Sequence, residues 1–382
     1  MVNSSKNKKT DDVLRLETAR TFDEIDKYAD AWNLLALNAP QQHPVLTHAW
    51  ISAYLKTCVK EGESWFCLFA FYQNDLVGVL PLVVQEDRFL WNKYLLLYTP
   101  NDPHTMGTDF LFKENYGQRV IQFFADYLNK MRPRVIRLTM SKVMYNSPVF
   151  DMLKDGITGM HSSFFQIDHV SIIPVEGKFD DYKKRLTKNS IRKLKKSRRS
   201  LNKTGNFSVN VIQNGESPTE NLQSFANIED SGWKGRLGST IKKKSWRFFE
   251  ELVNNMGKKG WLEWYFLQID NSKIAGYLTI PFGRTSYILK TGYDEKYRFH
   301  SPGSILMEEM LEKIYSAGDM EIINLFTDFE WFLRWNVEHK PYYRFYISFN
   351  NPVSYFLTRI PSAIYSNFPL FRRLKMSISR LV

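Results

Sequence analysis

Residues 291–318 read TGYDEKYRFHSPGSILMEEMLEKIYSAG, a polar segment that ends in Ser-Pro-Gly-Ser and continues into an amphipathic pattern. Apolar residues recur there at helical spacing with glutamates on the opposite face, which predicts a helix over Gly303–Ala317. The first N–H groups of a helix lack intrahelical partners and attract anions. Gly303 lets a ligand approach the backbone, Ser304 can cap the helix, and Arg298 supplies a positive charge. The junction is therefore either an anion site or an ordinary surface loop before a helix.

The elements around this helix occur in the same order in both halves of the chain. In the second half, a helix near Ser245–Lys258 precedes the strands LEWYFLQI, KIAGYLTIP and SYILKTG, and EIINLF follows the helix quoted above. In the first half, a helix near Thr47–Val59 precedes SWFCLFAFY, LVGVLPLVV and KYLLLYT, and a helix near Asn115–Lys130 precedes RVIRLTM. Gly78 and Gly276 occupy matching places in the two hairpins. The sequence thus predicts two copies of one unit, in which antiparallel strands are followed by a helix and one more strand.

The composition excludes several classes of protein. Only two cysteines and seven histidines occur, without ligand-like spacing, so neither a disulfide framework nor a metal site is expected. No apolar run of about 18 residues and no secretory signal are found, so a cytoplasmic protein is expected. The net charge of +12 is concentrated in Lys183–Lys203, which holds 11 basic and no acidic residues, and in the segment after Arg344.

Several segments together resemble one family. HPVLTHAWISAYL and LVGVLPLVV in the first half, and NSIRKLKKSRRSLNKTG, SGWKGRLGSTI and GYDEKYRFHSPGSILMEEMLEKIYSAG in the second, resemble the CelD/BcsL-like acetyltransferases of bacterial polysaccharide loci. These belong to the GNAT superfamily, and the Fem-type aminoacyltransferases share the tandem layout and a similar basic helix. The resemblance covers roughly Phe22 to Trp335.

The resemblance implies an α+β fold of two tandem GNAT-like units, each a mixed, mostly antiparallel sheet flanked by helices. On this basis we expect a flexible N terminus over residues 1–20 and a first unit over 21–170. A second unit with the acyl-CoA site is expected over 171–345, followed by a basic, aromatic extension over 346–382.

The resemblance also implies a binding site for the co-substrate. The second unit would bind acyl-CoA, such as acetyl-CoA, and no permanently bound cofactor is expected. Its pyrophosphate would lie on backbone N–H groups at Ser301, Gly303 and Ser304, with Arg298 beside them. In the corresponding segment of the first copy, PNDPHTMGTDFLFKENYG, we expect no basic residue to be poised before a Gly-opened helix as Arg298 is in the second copy.

The segment NLFTDFEWFLRW supplies candidate catalytic residues. Asp328 and Glu330 are placed to act as a base or to orient the acceptor, and the alternative is that both only cap the turn after the strand. The family often has a Tyr-Lys pair before Trp335, and this chain has Phe332 and Leu333 there.

Two further residues are candidates for acceptor binding. Trp233 and Lys234 lie in SGWKGRLGST, which is rich in glycine and is therefore predicted to be a loop. Trp233 either packs on a sugar ring or is a buried anchor beside a solvated lysine. His300 either contacts a phosphate or is a loop residue without chemistry.

The basic segment predicts a helix with one narrow apolar stripe formed by Ile191, Leu194 and Leu201. It either contacts an anionic partner or is a solvated face. Transfer RNA and an anionic glycolipid are the candidate partners, and no other nucleic acid is expected. The basic, aromatic tail either lies on an anionic membrane, at its inner face, or packs on the second unit.

The leading functional interpretation is an acyl-CoA-dependent N- or O-acyltransferase, with acetyl as the first expected group, acting on a sugar or a polysaccharide or cell-envelope precursor. One alternative is a Fem-like aminoacyltransferase that uses charged transfer RNA. Another is a non-catalytic binding protein of a surface-polysaccharide system.

Overall fold

The computed structural model describes residues 13–89, 92–144, 146–213, 215–238 and 240–349. The elements follow in chain order: β1 (Leu14–Ala19), α1 (Phe22–Asp26), α2 (Ala29–Asn38), α3 (His48–Thr57), β2 (Glu63–Tyr72), β3 (Asp75–Phe89), β4 (Asn92–Tyr98), β5 (Leu111–Phe112), α4 (Gly117–Lys130), β6 (Arg134–Met144), α5 (Pro148–Asp155), β7 (Met160–Pro174), α6 (Phe179–Arg185), α7 (Lys188–Asn202), β8 (Phe207–Ile212), α8 (Pro218–Ser231), α9 (Trp233–Arg236), α10 (Ile241–Lys244), α11 (Trp246–Gly257), β9 (Glu263–Ile269), β10 (Ser272–Phe282), β11 (Thr285–Tyr293), α12 (Pro302–Ala317), β12 (Ile322–Asn324) and β13 (Glu338–Phe349). Short 3-10 helices cover Pro44–Leu46, Glu295–His300 and Glu330–Trp335.

The first compact unit contains, among the described residues, 13–51, 59–168 and 341–349. Its strands lie in the order β1-β2-β3-β4-β6-β13. Neighbours are antiparallel except β4 and β6, which pair in parallel because α4 crosses between them. The apolar face of α4 is buried in the core of this unit and includes Val120, Ile121, Phe124 and Leu128.

The second compact unit contains residues 52–58 and 169–340. Its strands lie in the order β7-β12-β11-β10-β9-β8. The crossover helix α12 joins β11 to β12, and these two strands are the parallel pair. The apolar residues that recur at helical spacing in this helix are buried, namely Leu306, Met307, Met310, Leu311, Ile314 and Tyr315.

Apart from β13 and β7, which come from different places in the chain, the two units have the same order of strands. This confirms the predicted α+β fold with repeated, mostly antiparallel units. Both β2–β3 and β9–β10 are hairpins with a register shift beside the matched glycine, Gly78 or Gly276. A Cβ at Gly78 would lie 2.4 Å from Cγ1 of Val120 on α4. Glycine is therefore required where the crossover helix approaches the sheet.

The unit boundaries differ from those expected from the sequence. Strand β1 begins at Leu14, inside the segment expected to be flexible. Residues 341–349 belong to the first unit because β13 pairs with β6. Residues 350–382, which include most of the expected basic extension, lie outside the described residues.

Candidate functional site

The candidate site lies where β11 and β12 separate. The two strands pair only over Thr285–Tyr287 and Ile322–Asn324, while β11 continues to Tyr293 alongside β10. The buried Asn324 side chain accepts a hydrogen bond from the amide of Phe326 at 2.8 Å, and Phe326 has a positive φ of 60°. This turn directs the chain away from β11, so the sheet opens beside the second half of that strand.

The start of α12 forms one wall of the opening. Ser301 is the N-cap residue in a left-handed conformation (φ 50°, ψ 52°), and its side chain makes no capping hydrogen bond. Its amide donates to the carbonyl of Arg298 at 3.1 Å, and the amide of Ser304 donates to the carbonyl of Ser301 at 3.0 Å. Pro302 has no N–H. Within the described part of the chain, the Gly303 amide therefore remains the donor of this turn without a protein acceptor.

The predicted phosphate site consequently has fewer available backbone N–H groups than the sequence suggested. Ser304 lies inside the first turn and is not the cap. Its hydroxyl accepts a hydrogen bond from Nη1 of Arg334 at 2.9 Å. Arg298 is half exposed and lies 3.4 Å from Glu295, so its charge is available at the surface of the junction.

A cavity of about 420 Å³ fills the opening and is called the splay cavity. It brings together six of the residues predicted from the sequence: Trp233, Lys234, Arg298, Ser301, Gly303 and Ser304. The lining also contains Glu229 and a group of aromatic residues: Tyr277, Tyr293, Phe329 and Trp331. The cavity thus combines an apolar wall with three cations, because Arg334 lines it as well.

Lys234 and Glu229 form a buried ion pair in this wall. The Glu229 side chain is 1% exposed, and Lys234 Nζ lies 2.9 Å from its Oε1. Oε2 accepts from the amide of Ile241 at 2.8 Å, and Lys234 also donates to the carbonyl of Thr291 on β11 at 3.1 Å. Lys234 therefore joins α9 to α8 and β11, and the expectation of a solvated lysine is wrong.

The prediction of a loop at SGWKGRLGST is also wrong, because Trp233–Arg236 forms the short helix α9. Its glycines serve close backbone approach: a Cβ at Gly235 would lie 1.8 Å from the carbonyl oxygen of Asp230, and one at Gly232 would lie 2.8 Å from that of Tyr293. Trp233 remains 46% exposed and is not a buried anchor.

A second cavity of about 400 Å³ lies between α7 and the same helix start and is called the α7 cavity. Four residues line both cavities: Ser301, Ser304, Trp331 and Arg334. Glu330 lines the α7 cavity together with Lys193 and Lys196. The helix start therefore lies between an aromatic cavity and a more polar, cationic one.

Asp328 lies outside the residues that line the two cavities. Its Oδ1 accepts a hydrogen bond from the hydroxyl of Ser171 at 2.7 Å and lies 2.9 Å from Nδ1 of His339. The structure thus separates the two candidate catalytic residues, and Asp328 links three segments of the second unit near the end of β12. His300 lies 2.8 Å (Nδ1) from the hydroxyl of Ser200 on α7.

Helix α7 docks by the predicted apolar stripe. Leu194 and Leu201 are buried, and Ile191 packs against the core of the second unit. Arg198 is only partly exposed and forms ion pairs with Glu309 at 2.6 Å and Glu308 at 2.8 Å on α12. The exposed cations of α7 and its end are Lys188, Arg192, Lys193, Lys195, Lys196, Arg199 and Lys203.

Sequence reasoning did not assign Arg334, Tyr277 or Glu229 to the site. Tyr277 donates a hydrogen bond to the carbonyl of Gly303 at 2.6 Å, and burial raises the pKa of its phenol. The one available signal was the arginine of FLRW, which supplies a cation one position after the missing lysine of the family pattern. The described residues contain no cluster of metal ligands and no helix long and apolar enough to cross a membrane.

Comparison with known proteins finds a family model that matches most of the residues that line the two cavities. Residues 188–332 match the family model described as an acetyltransferase (GNAT) domain. This segment is similar to GNAT acetyltransferase domains. The protein is therefore an acyltransferase, and the matched segment contains every site residue predicted from the sequence.

The acyltransferase also resembles solved structures. The structure described as FemX is 12% identical with a TM-score of 0.62, and the match covers 90% of this chain and 100% of that one. A conserved protein of unknown function from Bacteroides thetaiotaomicron is 10% identical with a TM-score of 0.55, covering 84% and 97%. At these identities the likeness concerns the fold. A comparison with curated proteins finds no match.

Proposed function

We propose that the protein is an acyl-CoA-dependent N- or O-acyltransferase, in the first instance an acetyltransferase, that modifies a sugar or a polysaccharide or cell-envelope precursor. The observation that carries the proposal is the opening between β11 and β12, bounded by the start of α12 and by two arginines. A thioester donor needs a slot beside a strand and an anion site for its pyrophosphate, and this arrangement offers both.

The pyrophosphate would be held at the helix start. The Gly303 amide supplies a donor, and Arg298 and Arg334 supply positive charge on the splay-cavity side. A Cβ at Gly303 would have only Tyr277 and Tyr293 within 4 Å, at 3.7 and 3.8 Å. Packing within the protein therefore does not require glycine here, and the absence of a side chain keeps the backbone accessible to a ligand.

The acyl transfer itself requires a nucleophile and a base. The amine or hydroxyl of the acceptor attacks the thioester carbonyl, forming a C–N or C–O bond, while the C–S bond breaks and CoA leaves as a thiol after taking up a proton. We assign the removal of the acceptor proton to Glu330, which lies between Phe329 and Trp331, two residues that line the splay cavity. Asp328 is assigned a positioning role, because its bonds to Ser171 and His339 fix the turn that carries Glu330.

The acceptor would bind against the aromatic wall. Trp233 and Phe329 are 46% and 55% exposed and line the splay cavity, so their ring faces can pack on the apolar face of a sugar. Lys234 stabilises this wall through its contacts with Glu229 and Thr291. It would contact the acceptor with the part of its side chain that lines the splay cavity.

Calorimetry with acetyl-CoA tests the donor, and a thiol-release assay with amino sugars tests the transfer. We expect saturable binding of one acetyl-CoA and release of CoA that depends on the acceptor. Binding without acceptor-dependent release from any sugar or glycan precursor would favour the non-catalytic alternative. Failure to bind acetyl-CoA would overturn the proposal.

Aminoacyl transfer from charged transfer RNA is the second candidate. The observation in its favour is the row of exposed cations on α7 beside the α7 cavity, which can contact a phosphate backbone. Charged transfer RNA in the same calorimetric experiment distinguishes the two, since only this candidate predicts that it binds better than acetyl-CoA.

A further inference from the structure

Exposed apolar side chains of the second unit concentrate around the two cavities. Within the described residues of this unit, five large apolar side chains are exposed: Trp233, Leu237, Phe299, Phe329 and Leu333. Trp233 and Phe329 line the splay cavity, and Phe299, which is 80% exposed, lines the α7 cavity. Leu237 ends α9, and Leu333 lies in the 3-10 helix that lines both cavities. Such a grouping is unusual for a surface that faces only water.

Positive charge lies next to these apolar side chains. The α7 cavity is lined by Lys193, Lys196 and Arg334 against a single acidic residue, Glu330. On α7 the neighbouring Lys195 and Arg199 are also exposed, and within the described part of the chain neither forms an ion pair. The one arginine of this helix with acidic partners is Arg198.

We propose that this surface docks the protein onto an anionic lipid bilayer, with the cavity mouths facing the lipid headgroups. The docking surface consists of the five exposed apolar residues and the exposed cations of α7. Cations beside aromatic and aliphatic side chains suit the boundary between anionic headgroups and acyl chains, where each kind of group finds its preferred surroundings. The proposal is independent of the identity of the acyl donor.

The apolar residues favour a bilayer over RNA as the occupant. A single-stranded nucleic acid is held by stacking its bases on aromatic rings. Leu237 and Leu333 have no ring, yet they are 70% and 58% exposed beside the aromatic residues. A bilayer interface accepts aliphatic and aromatic side chains alike, so it accounts for all five.

Vesicle flotation with the full chain tests the proposal. The probes are vesicles of phosphatidylcholine alone and vesicles that also contain phosphatidylglycerol. We expect binding to the anionic vesicles only, weakened by salt. In K195Q/K196Q/R199Q, partitioning should fall at least tenfold, since each cation near an anionic surface contributes about fivefold, or about 1 kcal/mol. In F299S/L333S, the binding that persists at high salt should fall by about tenfold.

Matched controls lie in the first unit. Lys154→Gln removes an exposed cation, and Leu34→Ser changes a leucine that is 61% exposed. Both should bind like the wild type. Wild-type binding equal to background would overturn the proposal. So would unchanged binding by both surface variants, because the contact would then lie elsewhere, for example in residues 350–382. If the surface variants lost RNA binding but kept vesicle binding, RNA would replace the bilayer as the proposed partner of this surface.

No CoA is present in the flotation experiment. A protein that fails to bind acetyl-CoA can therefore still bind vesicles, and a protein that binds acetyl-CoA can fail to float. The docking surface and the proposed function thus stand or fall separately.

Discussion

Substitution of the helix start gives the most direct test of the donor site. In Gly303→Val, a branched side chain occupies the place where a pyrophosphate would reach the amide, whereas Gly303→Ala adds one methyl group. The new Cβ would lie 3.7 Å from the Tyr277 hydroxyl and 3.8 Å from a Tyr293 ring carbon, both ordinary contacts. Replacing glycine in a helix by alanine stabilises it by up to about 1 kcal/mol. We therefore expect the alanine variant to fold at least as well as the wild type, with thermal unfolding as the check.

The expected losses follow from the surroundings of each group. Arg298 is 50% exposed and 3.4 Å from Glu295, so the lower end of the range for a charged hydrogen bond, about 1.5 kcal/mol, applies. Arg298→Ala should then weaken acetyl-CoA binding about tenfold. Gly303→Val loses the amide contact and leaves no space for the phosphate, so a loss of at least tenfold is expected, with Gly303→Ala in between.

A matched arginine is the control. Arg284 is also exposed, has one glutamate partner (Glu321, at 3.1 Å), and does not line the two cavities. Arg284→Ala should bind acetyl-CoA like the wild type in calorimetry. Gly107→Val, in the segment of the first unit between β4 and α4, is unsuitable as a control, because a Cβ there would lie 2.9 Å from the ring of the buried His43. The helix-start site would be refuted if the wild type and the three variants at Arg298 and Gly303, all of them folded, bound acetyl-CoA with equal affinity.

Three further outcomes are expected. Lys234→Met leaves the carboxylate of Glu229 buried without its ion pair, so the free energy of unfolding in urea should fall by about 3 kcal/mol. Adding Glu229→Gln to this variant should recover part of the loss. Glu330→Gln should lower kcat at least about a hundredfold with little change in acetyl-CoA affinity, and an unchanged pH–rate profile would remove Glu330 as the base. Burial raises the pKa of Asp109 from 3.8 to about 8. Between these two pH values the carboxyl group keeps its proton in the folded protein and loses it in the unfolded chain. The free energy of unfolding should consequently fall as the pH rises from about 4 to about 8, and Asp109→Asn should flatten this dependence in thermal scans.

The strands and helices of the repeated unit could be read from the sequence because their patterns are local. Alternating apolar strands with short turns and the face of α12 require only neighbouring residues, and the structure has them within a few residues of the prediction. The place of β13 could not be found in this way. Its pairing with β6 depends on contacts between distant parts of the chain, and no local pattern specifies the partner of a strand.

The errors at the site have separate physical causes. Glycines normally indicate a loop, but Gly232 and Gly235 are needed because neighbouring carbonyl groups approach them closely. Arg334 lies in a 3-10 helix of six residues, which is too short to show a period, and its hydrogen bond to Ser304 therefore had no signature in the sequence. The position of Lys234 follows from its ion pair with Glu229, and only the packing of α8 against β11 shows that this carboxylate is buried.

The two units differ in the polar groups that are available in the segment before the crossover helix. In the first unit, Lys142 donates hydrogen bonds to the carbonyl groups of Asp102 and Thr105 at 2.8 and 2.9 Å, and burial lowers the pKa of this lysine to about 8. The segment between the third strand and the crossover helix is thus held through its carbonyl oxygens, which repel a phosphate. In the second unit the matching segment keeps the Gly303 amide without a protein acceptor among the described residues and has Arg298 beside it. The strand order sets where a ligand can enter, and the polar groups that this segment leaves available determine whether an anion can bind there.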